Sequence, residues 1–198
     1  MYEKAIILFS KKPKLGHVKT RIAKSLGDSK ALAIHKELLE ITLKMLQRVE
    51  CKKYLFWDEL SEESPEFLYH GFDIRSQKGK DLGERMENAF SDVIPFHDKV
   101  LILGTDCPCI NAEILEEAFV SLDTSDLVLG PAADGGYYLL GKKVMNPMVF
   151  KDIQWSTDTV LADTIKTCKE QKLKFNLLRV LSDIDTEEDY IQWKTKAN

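Results

Sequence analysis

Short apolar runs alternate with longer stretches of helical periodicity along the whole chain, and this order of elements constrains the fold most strongly. Residues 5–9 and 100–103 are continuous apolar runs, which are typical of strands buried on both faces. Further strand signals lie at residues 53–57, 72–75, 127–129, 137–140 and 175–181. Strands that alternate with helices favour a mainly parallel sheet between helical layers, with ligands beyond the carboxyl ends of the strands. The chain is therefore predicted to be a single three-layer α/β/α domain over residues 1–198.

The helices between these strands are predicted from apolar stripes and from capping residues. Ile34, Leu38 and Ile41 recur at steps of four and three within a helix over about residues 29–48. A second stripe follows between Leu82 and Val93. Three later helices are predicted to begin at side chains that can cap a first turn, namely Asn111, Ser156 and Thr186.

Composition and charge narrow the class of protein. With 44% hydrophobic and 30% charged residues, the chain matches a globular protein that can bury a core of its own. Its net charge of −4, without a concentrated basic block, argues against nucleic acid as the main partner. The four cysteines lack a disulfide spacing and are predicted to be reduced thiols. No stretch approaches the roughly 18 apolar residues of a spanning helix, so a cytoplasmic protein without a membrane span is expected.

The segment that follows the first strand is the first candidate site. It runs from Ser10 to Arg21 and contains five lysines and arginines together with Gly16. Lysine and arginine suit a polyphosphate, and phosphate loops lie directly after the first strand of α/β sheets. A solvated basic loop is the alternative, and the segment matches neither a Walker A loop nor a Gly-x-Gly-x-x-Gly fingerprint. The predicted nucleotide-binding residues are Ser10, Lys11, Gly16, Lys19, Thr20 and Arg21.

Asp106 is the second candidate, because it follows the strongest strand and precedes Pro108. Mg²⁺ prefers oxygen ligands and often takes only one or two protein carboxylates, with water and substrate phosphate completing its shell. A single aspartate at this place can therefore serve a metal site. Capping of the following turn by the same carboxylate is an equally simple explanation.

Two further segments combine carboxylates with flexible backbone. Asp134, Gly135, Gly136 and Tyr137 could hold a sugar or an acceptor, or they could form an ordinary glycine turn between strands. Asp183 and Asp185 are one residue apart after the last predicted strand, and either could complete a metal shell or cap the final helix. His35 and His70 look like surface or interface side chains, and no histidine is given a catalytic role. Trp155 is predicted to pack in the core or to wall a pocket.

In their order along the chain, these motifs resemble one family. They are Pro13-x-x-Gly16-x-x-Lys19-Thr20-Arg21, Gly104-Thr105-Asp106-Cys107-Pro108, Gly130-Pro131 with the segment from Asp134 to Gly141, and Asp183-Ile184-Asp185-Thr186. The set resembles the glycosyltransferase-like, radical-SAM/selenodomain-associated transferases. The resemblance covers nearly the whole chain, and the ordered set is far more specific than any one of its motifs.

That resemblance implies a GT-A fold, similar to nucleotide-diphospho-sugar transferases and related to molybdenum-cofactor and 2-phospholactate guanylyltransferases. In such enzymes the first loop holds nucleotide phosphates and an aspartate after the central strand binds the metal. Lys19, Arg21 and Asp106 match those positions and are the predicted catalytic residues, with Asp185 as the candidate second metal ligand. Gly104 stands where an Asp-x-Asp sugar transferase has its first acid.

The sequence therefore predicts a metal-dependent transferase that uses a nucleotide or nucleotide-sugar donor, with Mg²⁺ or Mn²⁺ as cofactor and a small-molecule acceptor. The group transferred stays open between glycosyl and nucleotidyl. A protein of the same fold that only binds a nucleotide or another protein, without turnover, is the alternative from a different class.

Overall fold

The structure is a computed structural model and describes residues 3–59 and 69–197. Within these residues lie seven strands and six α-helices. The strands are β1 (Lys4–Ser10), β2 (Lys52–Trp57), β3 (Phe72–Ser76), β4 (Lys99–Leu103), β5 (Leu127–Pro131), β6 (Tyr137–Lys142) and β7 (Phe175–Leu177). The helices are α1 (Thr20–Leu26), α2 (Asp28–Gln47), α3 (Leu82–Val93), α4 (Ala112–Thr124), α5 (Val160–Glu170) and α6 (Glu187–Ala197).

All seven strands belong to one sheet in the order β3-β2-β1-β4-β6-β5-β7. Only β6 runs antiparallel to its neighbours β4 and β5, while every other pairing is parallel. After β1 the chain continues to β2 on one side of the sheet, whereas after β4 it continues to strands on the other side. The carboxyl ends of β1 and β4 therefore border a topological switch point, where open α/β sheets bind ligands.

Helices cover both faces of the sheet, as predicted. Successive side chains of a strand point to opposite faces, so Ile6 and Leu8 of β1 pack on one face while Ala5 and Ile7 pack on the other. The first core contains apolar residues of α2 and α4, and the second contains those of α3 and Cys168 of α5. A third, smaller cluster joins α1 and α2 to Ile184.

Six of the seven predicted strands agree with the observed bounds to within two residues. The last is shorter than predicted: β7 ends at Leu177, and beyond it an isolated bridge joins Leu181 to Ala132. Asn111 caps α4 by accepting a hydrogen bond from the Ile114 amide at 3.0 Å, which confirms that prediction. No helix in the described ranges is long and apolar enough to cross a bilayer, and all four cysteines are free.

Two local predictions are wrong. Ser156 does not begin α5, because its backbone has a left-handed φ of 66° and the helix starts only after Thr159. The segment after β1 is also not wholly a loop, since α1 begins at Thr20 inside it. Helix α1 has only seven residues and buries Ile22 alone, so it leaves no apolar stripe in the sequence.

Candidate functional site

A cavity of about 740 Å³ lies at the switch point, beyond the carboxyl ends of β1 and β4. It is lined by side chains that the sequence places far apart. From the predicted set it brings together Ser10, Lys11, Lys19, Thr20, Arg21, Asp106, Asp134, Gly136, Tyr137, Asp183 and Asp185. Gly16 and Gly135 do not line this cavity; Gly16 lies in an exposed turn, where its φ of 76° suits glycine.

Lys19 links the first loop to the acidic side of the cavity. Its side chain is only 4% exposed, and its Nζ lies 2.7 Å from Asp106 Oδ1 and 3.4 Å from Asp185 Oδ1. The ammonium also donates to the Ile184 carbonyl at 2.5 Å. Lys19 holds a left-handed backbone conformation with φ and ψ of 47°, which is uncommon outside glycine and concentrates at functional sites. The fold thus places one cation between two carboxylates from different strand ends.

Arg21 extends the same contact toward solvent. Its side chain is 68% exposed, and its Nη1 lies 3.4 Å from Asp185 Oδ2. An exposed ion pair of this length contributes little to stability. The guanidinium therefore stays available for an anionic ligand at the mouth of the cavity, where its planar donors suit phosphate oxygens.

Asp106 follows β4, and the segment that contains Asp183 and Asp185 is fastened beside it. The Ile184 amide donates to the Asp106 carbonyl at 2.8 Å, so the backbone itself joins the two acidic segments. Thr186 and Asp189 then form the predicted capping box, with the Thr186 amide donating to Asp189 Oδ2 at 2.8 Å. Asp185 is free of that capping role because Asp189 supplies it.

Asp183 is a buried carboxyl group of the cavity. Burial, followed by the charges of Asp106, Asp134 and Asp185, raises the pKa of Asp183 to about 7. Its Oδ1 is buried and has no hydrogen-bond partner. Buried polar atoms without partners are rare in folded proteins, so we infer that a ligand contacts this oxygen.

The acidic side chains fit a hard divalent cation by their chemistry. They offer carboxylate oxygens only, and one of them, Asp183 Oδ1, is buried without a partner. In the described ranges, however, no group of three or more His, Cys, Asp and Glu side chains is arranged to hold a metal. Lys19 instead joins Asp106 and Asp185. The residues present therefore suit a metal that takes one or two protein carboxylates and completes its shell from substrate.

The turn between β5 and β6 forms another wall. Asp134 Oδ1 accepts from the Gly136 amide at 2.9 Å, and Asp134 lines the cavity. Gly135 has a φ of 90°, and a Cβ there would lie 2.0 Å from the Asp158 carbonyl oxygen. Its amino-acid type is thus dictated by backbone conformation and close packing, while Asp134, Gly136 and Tyr137 face the cavity.

His35 was predicted to be a surface or interface residue, and that prediction is wrong. Its residue is 4% exposed, and burial lowers the pKa of its imidazole. The Nε2 atom lies 2.9 Å from the Lys11 carbonyl, which can only accept, so Nε2 carries the hydrogen. His35 therefore anchors the first loop. Leu39, Thr42 and Leu46 are buried on the same side of α2, and their spacing from His35 could have shown this.

Asp58, Gln77 and Trp155 also line the cavity, and the first two were not among the predicted site residues. Asp58 and Gln77 directly follow β2 and β3, so the general rule that ligands meet strand ends could have identified them. Trp155 walls the pocket: a Cβ at Gly83 would lie 2.3 Å from its Nε1, so the indole rests directly on α3.

The fold is shared with several solved structures. A protein of Desulfovibrio desulfuricans G20, described as a proposed nucleotide-diphospho-sugar transferase, is 30% identical with a TM-score of 0.92. That match covers 100% of this chain and 89% of the other. The 4-diphosphocytidyl-2C-methyl-D-erythritol synthase of Anaerococcus prevotii DSM 20548 is 12% identical with a TM-score of 0.68, covering 99% and 96% of the chains.

A CMP:2-keto-3-deoxy-manno-octonic acid synthetase complexed with CTP has 8% identity and a TM-score of 0.60, with 98% of each chain covered. At these low identities the second and third structures show the fold alone, which is the predicted fold of nucleotide-diphospho-sugar transferases. No curated protein matches the sequence. The model of the family described as "Uncharacterized protein conserved in bacteria (DUF2064)" matches residues 41–157, and the chain belongs to that family.

Proposed function

We propose that this protein is a metal-dependent transferase that uses a nucleotide donor. One observation carries the proposal: Lys19 and Arg21 meet Asp106 and Asp185 in a single cavity at the switch point of the sheet. A cation-rich loop next to converging carboxylates suits a polyphosphate together with its counter-ion. This arrangement supports catalysis by positioning and charge stabilisation, without a protein nucleophile.

The residues of the first loop bind and orient the phosphates. Lys11 and Arg21 have exposed side chains that line the cavity and can donate to phosphate oxygens. Lys19 is fixed by its two carboxylate partners and by Ile184, so its charge stays in place and needs no rearrangement as the leaving group gains charge. His35 keeps this loop in register by holding the Lys11 carbonyl.

Asp106 and Asp185 would hold Mg²⁺ or Mn²⁺, with Asp183 as the buried neighbour that could replace Asp185. When bound, the ion supplies positive charge that neutralises the donor phosphates. Asp134, Gly136 and Tyr137 form the opposite wall, and we assign them to the acceptor or to the sugar of the donor.

Two transfers are compatible with this site. With a nucleoside triphosphate, an acceptor oxygen attacks the α-phosphorus, the bond to the bridging oxygen breaks, and pyrophosphate leaves. With a nucleotide-sugar, the acceptor oxygen attacks the anomeric carbon, the glycosidic bond to phosphate breaks, and a nucleoside diphosphate leaves. In both cases the acceptor hydroxyl gives up its proton to solvent water and the leaving phosphate carries away the electron pair.

The comparisons support a nucleotide-using transferase rather than either transfer in particular. The 30% identical protein is described as a proposed nucleotide-diphospho-sugar transferase, and structures of the same fold include a synthetase complexed with CTP. We also propose that the protein is a member of the radical-SAM/selenodomain-associated transferases and that it is cytoplasmic. Its proposed acceptor is a small molecule rather than nucleic acid. The net charge of −4 favours that choice of acceptor.

A donor screen tests the proposal. The protein is incubated with nucleoside triphosphates and nucleotide-sugars, with Mg²⁺ or with a chelator, and pyrophosphate and nucleoside diphosphate are measured separately. We expect metal-dependent release of one of the two products, with a loss of about 100-fold or more in D106N. D152N changes an exposed aspartate outside the cavity and should keep full activity. Activity unchanged in D106N would overturn the metal role, and binding without turnover would favour the non-catalytic alternative.

A further inference from the structure

The far end of the cavity, beyond the carboxyl ends of β2 and β3, contains a side-chain amide whose orientation is determined by the backbone. Gln77 Nε2 donates to the Phe56 carbonyl at 3.0 Å and to the Ser10 carbonyl at 3.4 Å. Carbonyl oxygens only accept, so the NH₂ group must face them. The Oε1 atom of Gln77 is then left as an acceptor, and Gln77 lines the cavity.

Asp58 presents a second acceptor beside it. Its Oδ1 accepts from the Lys12 amide at 2.7 Å and from the Glu59 amide at 3.1 Å. Its Oδ2 has no hydrogen-bond partner among the described residues, and Asp58 also lines the cavity. The two residues are held side by side, because the Asp58 backbone amide and Gln77 Nε2 both donate to the carbonyl oxygen of Ser10.

This pair lies next to the phosphate loop, since Ser10 is both the last residue of β1 and the start of that loop. The adjacent His35 donates its Nε2 hydrogen to the Lys11 carbonyl, so that hydrogen is not available to a nucleobase. A nucleotide whose phosphates lie along the loop would thus reach Asp58 and Gln77 with its base. Two acceptors favour hydrogen-bond donors from that base, because a carbonyl placed against them would set one acceptor against another.

We propose that Asp58 and Gln77 select a nucleobase with an exocyclic amino group, namely cytosine, adenine or guanine, in preference to uracil and thymine. An exocyclic NH₂ offers two hydrogens, one for each acceptor. Uracil presents a carbonyl oxygen where cytosine presents its amino group, and the single hydrogen on its N3 can satisfy only one of the two acceptors. This selection rests on the proposed function, because it requires that the loop from Ser10 to Arg21 binds the phosphates of a nucleotide.

Matched nucleotide pairs test the selection by calorimetric titration in the presence of Mg²⁺. CTP and UTP differ in an amino group against a carbonyl at one ring position, and so do ATP and ITP. GTP and ITP differ in an amino group against hydrogen. Whether the site binds pyrimidine or purine nucleotides, we expect the amino-bearing member of each pair to bind about tenfold more tightly than its partner, or better. Equal or tighter binding of UTP or ITP overturns the selection while leaving nucleotide binding intact. Binding of no nucleotide at all overturns the proposed function and the selection together.

Two substitutions separate recognition from simple structural support. In D58N the Oδ1 contacts with Lys12 and Glu59 can remain, but the cavity side of the group changes from an acceptor to a donor. The preference for CTP over UTP, or for ATP over ITP, should therefore fall and move toward the carbonyl-bearing base. Q77M removes one acceptor at similar volume and should reduce the same ratio. An equal loss of affinity for both members of a pair in D58N and Q77M would show a structural role only and overturn the proposal.

Discussion

Replacement of Lys19 by methionine should destabilise the protein and abolish its proposed activity. Methionine keeps most of the buried volume but removes the ammonium that lies 2.7 Å from Asp106 and 3.4 Å from Asp185. Three neighbouring carboxyl groups, those of Asp106, Asp183 and Asp185, then lose their compensating cation. Removal of one partner leaves the other charges uncompensated, which costs more than the pair itself contributes.

The expected loss of stability in K19M depends on how buried Lys19 and its two carboxylate partners are. Unit charges 2.7 Å apart attract by about 6 kcal/mol at an effective dielectric constant of about 20, before desolvation is subtracted. The Lys19 side chain is 4% exposed, but Asp106 is 47% and Asp185 is 36% exposed, so water screens the carboxylates. Loss of a buried partner costs about 3–5 kcal/mol and an exposed pair contributes up to about 1 kcal/mol. We therefore expect K19M to lose about 2 kcal/mol.

Urea denaturation and thermal unfolding measure this loss, which corresponds to a fall in Tm of about 4–8 °C for a chain of this size. The matched control is K14M in the same loop, where Lys14 and Glu59 are more than half exposed and 3.5 Å apart. K14M should change stability by less than about 0.5 kcal/mol. A K19M protein as stable as the original, or an equal loss in K14M, would refute the assignment of Lys19 as the cation that holds the acidic segments together.

Three further predictions concern other parts of the fold. Burial lowers the pKa of Lys142 to about 8 from 10.5, so the folded state binds fewer protons than the unfolded state between these pH values. The free energy of unfolding should therefore rise by about 3 kcal/mol from pH 8 to pH 10.5. This rise should be absent when K142M is unfolded with urea over the same pH range. G135A should lose at least about 2 kcal/mol of stability, because φ is 90° there and the new Cβ would meet the backbone of Asp158. The matched control G136A should lose clearly less in the same denaturation assay, because its Cβ would meet the side chain of Asp134, with Oδ1 at 3.2 Å. N111A should lose about 1 kcal/mol in thermal unfolding, because it removes the cap of α4, and unchanged stability would contradict that role.

Much of the fold could be read from local patterns. The apolar run of β4 and the stripe of α3 each extend over a few consecutive residues, and such periodicity is a property of the segment itself. Caps such as Asn111 and Thr186 also act within three residues of their own position. The prediction for Ser156 fails because a possible capping side chain is not sufficient: its backbone is left-handed, and α5 begins only after Thr159.

The site was predictable to the extent that its residues follow strands. Lys19 and Asp106 were identified from their motifs, but their direct contact depends on the 86 residues between them folding so that β4 pairs with β1. The anchoring role of His35 and the two acceptors of Asp58 and Gln77 carried no motif. They become visible only when the ends of β1, β2 and β3 are side by side.

The sequence by itself determined the class of fold, the order of its elements and the chemistry of its two charged motifs, because periodicity, strand runs and residue types are local properties. Only the tertiary structure decided that Lys19 joins Asp106 to Asp185, that Asp183 is buried without a partner and that Gln77 presents its carbonyl to the cavity. Those properties depend on strand order and on which backbone atoms meet across the sheet. No pattern along a single segment contains that information.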